Sequence, residues 1–186
     1  MDRRDSRAVR FLFSGAVLLA CAVLAAPAGA TSAERAVPAV QPTSLELGVL
    51  ASLNDVRVEH GLSPLRLSSE LSAAARQHSS EMGRLGYFAH SSADGSLFWR
   101  RIARYYPVGH SRRWSVGENL VWNAPELDAA GAIDAWMRSP EHRRNILAPD
   151  WREIGISAVL VAAAPGTFGD RGVTIITTDF GVRTSP

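Results

Sequence analysis

The chain has 186 residues, 46% of them hydrophobic and 20% charged, with a mean hydropathy of -0.01. That is one ordinary domain with a tail; two full domains and a disordered polyelectrolyte are excluded. All 20 basic residues are arginine. Four of them, with two acids, fall in the first thirty positions and leave 16 arginines against 16 acids in the remainder, which argues against a globally basic nucleic-acid binder.

The N-terminus reads MDRRDSRAVR, followed by an apolar run from Phe11 to about Ala26 and by Ala28-Gly29-Ala30. A basic start, an apolar centre and a small-residue end are the three parts of a secretory signal, so residues 1–30 are expected to be an export segment cleaved after Ala30. The run is shorter than the roughly 20 residues that span a bilayer, so no stable membrane span is expected after cleavage. An uncleaved anchor and a lipoprotein at Cys21 are the alternatives. Cys21 is the sole cysteine. Cleavage at Ala30 therefore leaves a secreted domain without disulfide, thiol nucleophile or cysteine-held metal.

Residues 31–43, TSAERAVPAVQPT, read as a flexible linker. From Ser44, Leu45, Val49, Leu53, Val56 and His60 recur at helical spacing until Gly61. Leu62 to Leu65 is a connector. Ser68 or Ser69 caps a second helix running to about Leu85, with Leu71, Ala74, Ala75, His78 and Met82 on one face. A turn-rich loop, 87–95, precedes a third helix from Ser96 to Tyr105, and Val116 to Trp122 reads as a short extended piece. A fourth helix after Pro125 turns Leu127, Ala130, Ile133, Trp136 and Met137 inward, ends at Pro140, and is followed by a turn from Glu141 to Leu147. EIGISAVLVAAA and VTIITTDFGV then form an antiparallel hairpin with a long loop. Helices first and adjacent strands last make the class α+β.

Three ionisable residues fall at element boundaries where a side chain can be presented: His90, Glu118 and His142. Two imidazoles and a carboxylate suit zinc or a similar divalent cation and leave a position open for water. Spacings of 28 and 24 residues prove nothing alone, and no His-Glu-x-x-His helix is present. Read plainly, His90 is a loop histidine, Glu118 accepts bonds from its own turn, His142 is surface, Asn119 positions its neighbour, and His60 and His78 are structural. Between Gly95 and Gly117, Arg100, Arg101, Arg104, Arg112 and Arg113 alternate with Trp99, Tyr105, Tyr106 and Trp114. That mix could grip an anionic polymer. The simpler reading makes Arg101 an internal contact and the others a solvated face.

The surroundings of those residues resemble the CAP superfamily (cysteine-rich secretory, antigen 5 and pathogenesis-related-1 proteins), in its short bacterial secreted branch. The resemblance is carried in order by Asn54-Asp55-Val56-Arg57 with Gly61 to Leu65, Leu71 to Met82, Phe88-Ala89-His90, Asp94-Gly95 with Arg101, and Gly117-Glu118-Asn119-Leu120. Trp136 to Leu147, Ile154-Gly155-Ile156 and Thr178-Asp179-Phe180-Gly181 complete it, over about residues 45–183. It implies a CAP domain at 44–183, built as a three-layer α-β-α sandwich with an antiparallel sheet and an open cleft. Two histidines and two glutamates line that cleft in the family, and some members hold a divalent metal there. His90, Glu118 and His142 match three of the four; Ser139 stands at the second glutamate's position.

The sequence thus supports an exported, non-enzymatic module whose ligand meets His90, Glu118, Asn119, Ser139 and His142, with zinc or another divalent ion as the expected cofactor. The ligand would be a lipid or small amphiphile, a wall polymer or a partner protein. Two other readings stand beside it: a weak metal-dependent hydrolase in which Glu118 serves as base, and a surface adhesin using segment 95–117.

Overall fold

A computed structural model describes residues 41–184. The export segment 1–30, with its cleavage alternatives, and residues 31–40 of the expected linker lie outside the described residues. Helix α1 (Ser44–Glu59) starts where Thr43 and Glu46 cap each other: the Thr43 side chain accepts from the Glu46 N–H, and Glu46 Oε2 accepts from the Thr43 N–H at 2.7 Å. Strand β1 (Arg66–Leu67) leads into α2 (Ser69–Leu85), whose cap is Ser68. Helix α3 (Phe98–Tyr105), strand β2 (Arg113–Asn123), helices α4 (Ala129–Arg138) and α5 (Pro140–Ile146), and strands β3 (Glu153–Ala164) and β4 (Arg171–Thr184) follow.

The four strands form one sheet in the order β1-β3-β4-β2. β4 lies antiparallel to β3 and β2, and β1 runs parallel to β3. Strand alternation divides β4 between two layers. Ile176, Phe180 and Val182 meet Val49, Leu53, Trp136 and Ile146 of α1, α4 and α5. On the other face Val173 and Ile175 join Met82, while Val116 of β2 meets Leu71, Ile102 and Tyr106 of α2 and α3. The architecture is α+β, with helices on both faces of the sheet. Helix α2 presses onto the strand backbone because β3 has no side chain beneath it at one point: a Cβ on Gly155 would lie 2.0 Å from the Leu71 carbonyl carbon.

β1 is only two residues long, so most of β3 has no strand on its outer side. Side chains cover that edge locally: Ser72 Oγ accepts from the Ile156 N–H at 3.3 Å and Glu46 Oε1 from the Ala158 N–H at 3.0 Å.

Several boundaries depart from the periodicity. α4 begins at Ala129, because the Asp128 side chain accepts from the Gly131 N–H at 2.8 Å and so fixes the helix start, and Ala130 faces solvent. The expected turn after Pro140 is a helix, since proline at a first helical position loses no bond that position would have made. β2 runs from Arg113 to Asn123, not merely Val116 to Trp122, because β4 pairs with it throughout. α3 starts at Phe98 instead of Ser96.

Candidate functional site

Gly117, Glu118 and Asn119 sit in mid-β2, at the edge of the sheet, and the strand sends them to opposite faces. Gly117 faces the α5 layer, where a Cβ would come within 3.0 Å of the Trp151 ring. Asn119, on the same face, clamps α5 to the strand: its Nδ2 donates to the His142 carbonyl at 3.0 Å, and its Oδ1 accepts from Asn145 Nδ2 at 2.9 Å. Asn145 Nδ2 also donates to the Glu118 carbonyl at 3.0 Å. This network sets His142 against the edge of the sheet. Asn119 is therefore a latch between layers, reaching α5 as well as positioning its neighbour in the chain. Ser139 joins α4 to α5 as the cap between them, its carbonyl accepting from the Arg143 N–H at 2.9 Å.

Glu118 points the other way, toward α2 and α3, and is 4% exposed. Its Oε1 pairs with His90 Nδ1 at 2.7 Å, and its Oε2 accepts from Arg101 Nη2. Arg101, fully buried, extends Nη1 to Ser92 Oγ at 3.0 Å and to the His90 carbonyl at 3.3 Å. One guanidinium therefore holds both the carboxylate and the loop that carries His90. Burial alone would raise the Glu118 carboxyl, but Arg101 and the hydrogen bond from His90 outweigh it and hold the group below its usual range. It is a carboxylate at neutral pH.

Behind it lies a second acid. Asp179 of β4 is paired directly across from Glu118, is wholly buried, and has neither oxygen within reach of a donor among the described residues. Burial and then the charge of Glu118 push its carboxyl well above the ordinary value, against the pull of Arg101. Asp179 is the neutral acid of the pair. His78, in the same layer, is also buried; its Nε2 meets the Ala89 carbonyl at 2.8 Å and burial lowers its ring below the usual imidazole value. His142 is lowered as well, first by burial and then by the charge of His90, with Glu141 opposing. Both rings are neutral at pH 7.

The structure thus joins His90 to Glu118 and brings His142 near enough for its titration to feel His90. It does not assemble the expected metal set of His90, Glu118 and His142. Among the described residues no three His, Cys, Asp or Glu side chains are grouped closely enough to hold an ion. The donor chemistry agrees, because Glu118 commits both oxygens to His90 and Arg101, and the adjoining cation is the guanidinium itself. The expected Glu118 base is committed in the same way.

Segment 95–117 is largely used within the fold. Arg101 is buried, Arg113 pairs with Asp150 at 2.6 Å, Trp114 Nε1 donates to the Tyr106 carbonyl at 2.9 Å, and Arg100 lies over the Trp99 ring. Sequence reasoning recognised Arg101 as an internal contact but gave Asp179 no role. The one signal for it was an acid inside the apolar run VTIITTDFGV, a strand that the sheet surrounds on both sides.

A model of the cysteine-rich secretory protein family, CAP, matches residues 50–168. The chain belongs to the CAP family. It is 31% identical over 117 residues to the Bacillus subtilis uncharacterized membrane protein YlbC, covering 63% of this chain and 32% of that one. It is 32% identical over 130 residues to the B. subtilis uncharacterized protein YkwD, covering 69% and 46%. The chain therefore spans less than half the length of either relative.

Among solved structures, an outer surface protein from Borrelia burgdorferi superposes with a TM-score of 0.63 at 18% identity, covering 77% of this chain and 97% of that one. An extracellular SCP-domain protein from Bacillus anthracis gives 0.56 at 24% identity, covering 73% and 39%. These likenesses establish the CAP fold.

Proposed function

We propose that this CAP chain is an exported, non-enzymatic binding module that receives its ligand beside His90 and His142 and works without a resident metal. The observation that carries the reading is the double engagement of Glu118. A metal-dependent hydrolase needs a carboxylate that can ligate the ion or take a proton from its water. Here the carboxylate is enclosed, ionised and bound on both oxygens. The partly exposed His90 beside it, and the His142 ring on α5 that burial keeps neutral, suit hydrogen bonding to a polar ligand group. Export is supported by the signal-like N-terminus, by the extracellular description of the B. anthracis protein, and by the lack, among the described residues, of any helix long and apolar enough to cross a membrane.

Zinc chloride titrated calorimetrically into the protein at neutral pH is expected to give no saturable heat up to millimolar metal. A peptide and ester panel is expected to show no turnover that His142→Ala removes. An NMR fragment screen read at the ring protons of His90 and His142 is expected to yield binders. Zinc binding lost in His90→Ala and His142→Ala would overturn the metal-free reading, and an empty fragment screen the binding one.

A further inference from the structure

Where α4 meets α5, away from Glu118, the surface forms a groove of about 570 Å³ whose wall includes Met137, Pro140 and Leu147 beside Arg138, Arg143 and Arg144. That volume is in the range of ligand sites. Its chemistry has two parts: an apolar lining of methionine, leucine, alanine and two prolines, and three exposed guanidiniums with no acid in the lining.

The guanidiniums are open to exchange. Arg138 pairs with Asp134 one turn back at 2.9 Å, an exposed contact that costs little to give up. Arg143 Nη2 lies 3.4 Å from His60 Nε2, and no hydrogen bond or ion pair engages Arg144 among the described residues. A fourth arginine lies beneath the wall. Arg57 of α1 is fully buried and donates Nη1 to the Ile146 carbonyl at 2.6 Å and to the Ala148 carbonyl at 3.0 Å. Its charge meets no carboxylate; burial and then repulsion from Arg152 lower its pKa, while its Nη2 stays without a partner among the described residues. Glu141 and Asp150 each follow a lining proline in sequence, and neither lines the groove.

We infer that this groove is a docking site for an acidic peptide segment of a partner protein, with carboxylates spaced by apolar side chains. Charge complementarity selects an anion, and guanidinium forks suit carboxylates. The apolar lining favours aliphatic side chains over the polar sugar or polyol units that separate the charges of a phosphodiester polymer. A single-headed amphiphile would engage one or two of the three guanidiniums and leave the rest without a partner.

The probe is a fluorescein-labelled hexapeptide of alternating glutamate and leucine, titrated by anisotropy into the intact protein. Hexaglutamate, a lysine–leucine hexapeptide and phosphatidylglycerol vesicles serve as comparisons. The glutamate–leucine peptide is expected to bind about tenfold more tightly than hexaglutamate, and Arg143→Ala with Arg144→Ala to weaken it by about tenfold or more. The lysine–leucine peptide is expected not to bind, and Arg84→Ala, an exposed charge on α2, to change nothing. Equal binding of hexaglutamate, or an unchanged double variant that still unfolds at the wild-type temperature, would overturn the inference. So would vesicles that displace the peptide through the same arginines, since the face would then belong to a membrane surface.

Discussion

Asp179 faces Glu118 across β2 and β4 with no donor for either oxygen among the described residues, and burial with the charge of Glu118 makes the fold hold its proton well above the ordinary carboxyl range. An unfolded chain releases that proton near pH 4. Above that pH the folded acid is held protonated at a growing cost in stability, until its own raised pKa is passed. Asp179→Asn keeps the shape, supplies an N–H donor toward Glu118 and removes the titration. The variant is expected to melt several degrees above the parent at pH 7, by calorimetry, with the gain gone near pH 4. A variant less stable at pH 7 would mean that Asp179 is ionised and paired. At this scale the resemblance singles out His90, Glu118, Asn119 and His142, and the structure pairs His90 with Glu118 and ties the Asn119 side chain to the His142 carbonyl. It could not show that Glu118 and Asn119 serve opposite layers, because that follows from strand pairing and not from neighbouring positions in the sequence. Asp179 was hidden for the same reason: its partner lies 61 positions earlier by the register Glu118↔Asp179.

Among the elements, α2 depends most on the sheet's smallest residue. The Leu71 and Ser72 backbone lies where a Cβ of Gly155 would be, at 2.0 and 2.2 Å, and backbone cannot swing aside as a side chain can. Gly155→Ala is therefore expected to cost at least the upper end of the about 1–3 kcal/mol typical of overpacking, read as a lowered urea midpoint. An unchanged midpoint would show that α2 can lift without loss. The helical periods of α1 and α2 were plain in the sequence because each presents a continuous apolar stripe. β1 was not, since two exposed residues carry no alternation and are defined only by the β3 backbone beside them. Glu46 and Arg57 were likewise unforeseen as interior residues. Each is buried because it serves distant backbone, Glu46 at Ala158 and Arg57 at Ile146 and Ala148.

For the molecule as a whole, the lowered rings of His78 and His142 set the pH response. Below about 6.5 an unfolded chain takes up protons on both, and the fold resists doing so. Asp179 acts in the opposite sense, regaining stability as pH falls from 7 toward 4. The rings are therefore read in an Asp179→Asn background, where stability is expected to fall from pH 7 to 5 and His142→Gln to flatten part of that slope in urea unfolding. Glu118, lowered in the fold, adds its own loss only further down, as pH falls through its depressed value. A flat profile between pH 5 and 7 in that Asp179→Asn background would contradict the buried, neutral state of the two rings. The strand order has a separate consequence. β4, flanked on both sides, is made after every other strand, so a chain that stops short of Arg171 leaves β3 and β2 without the strand that joins them. The sheet is therefore complete only once the last strand to be made takes its place between two made before it.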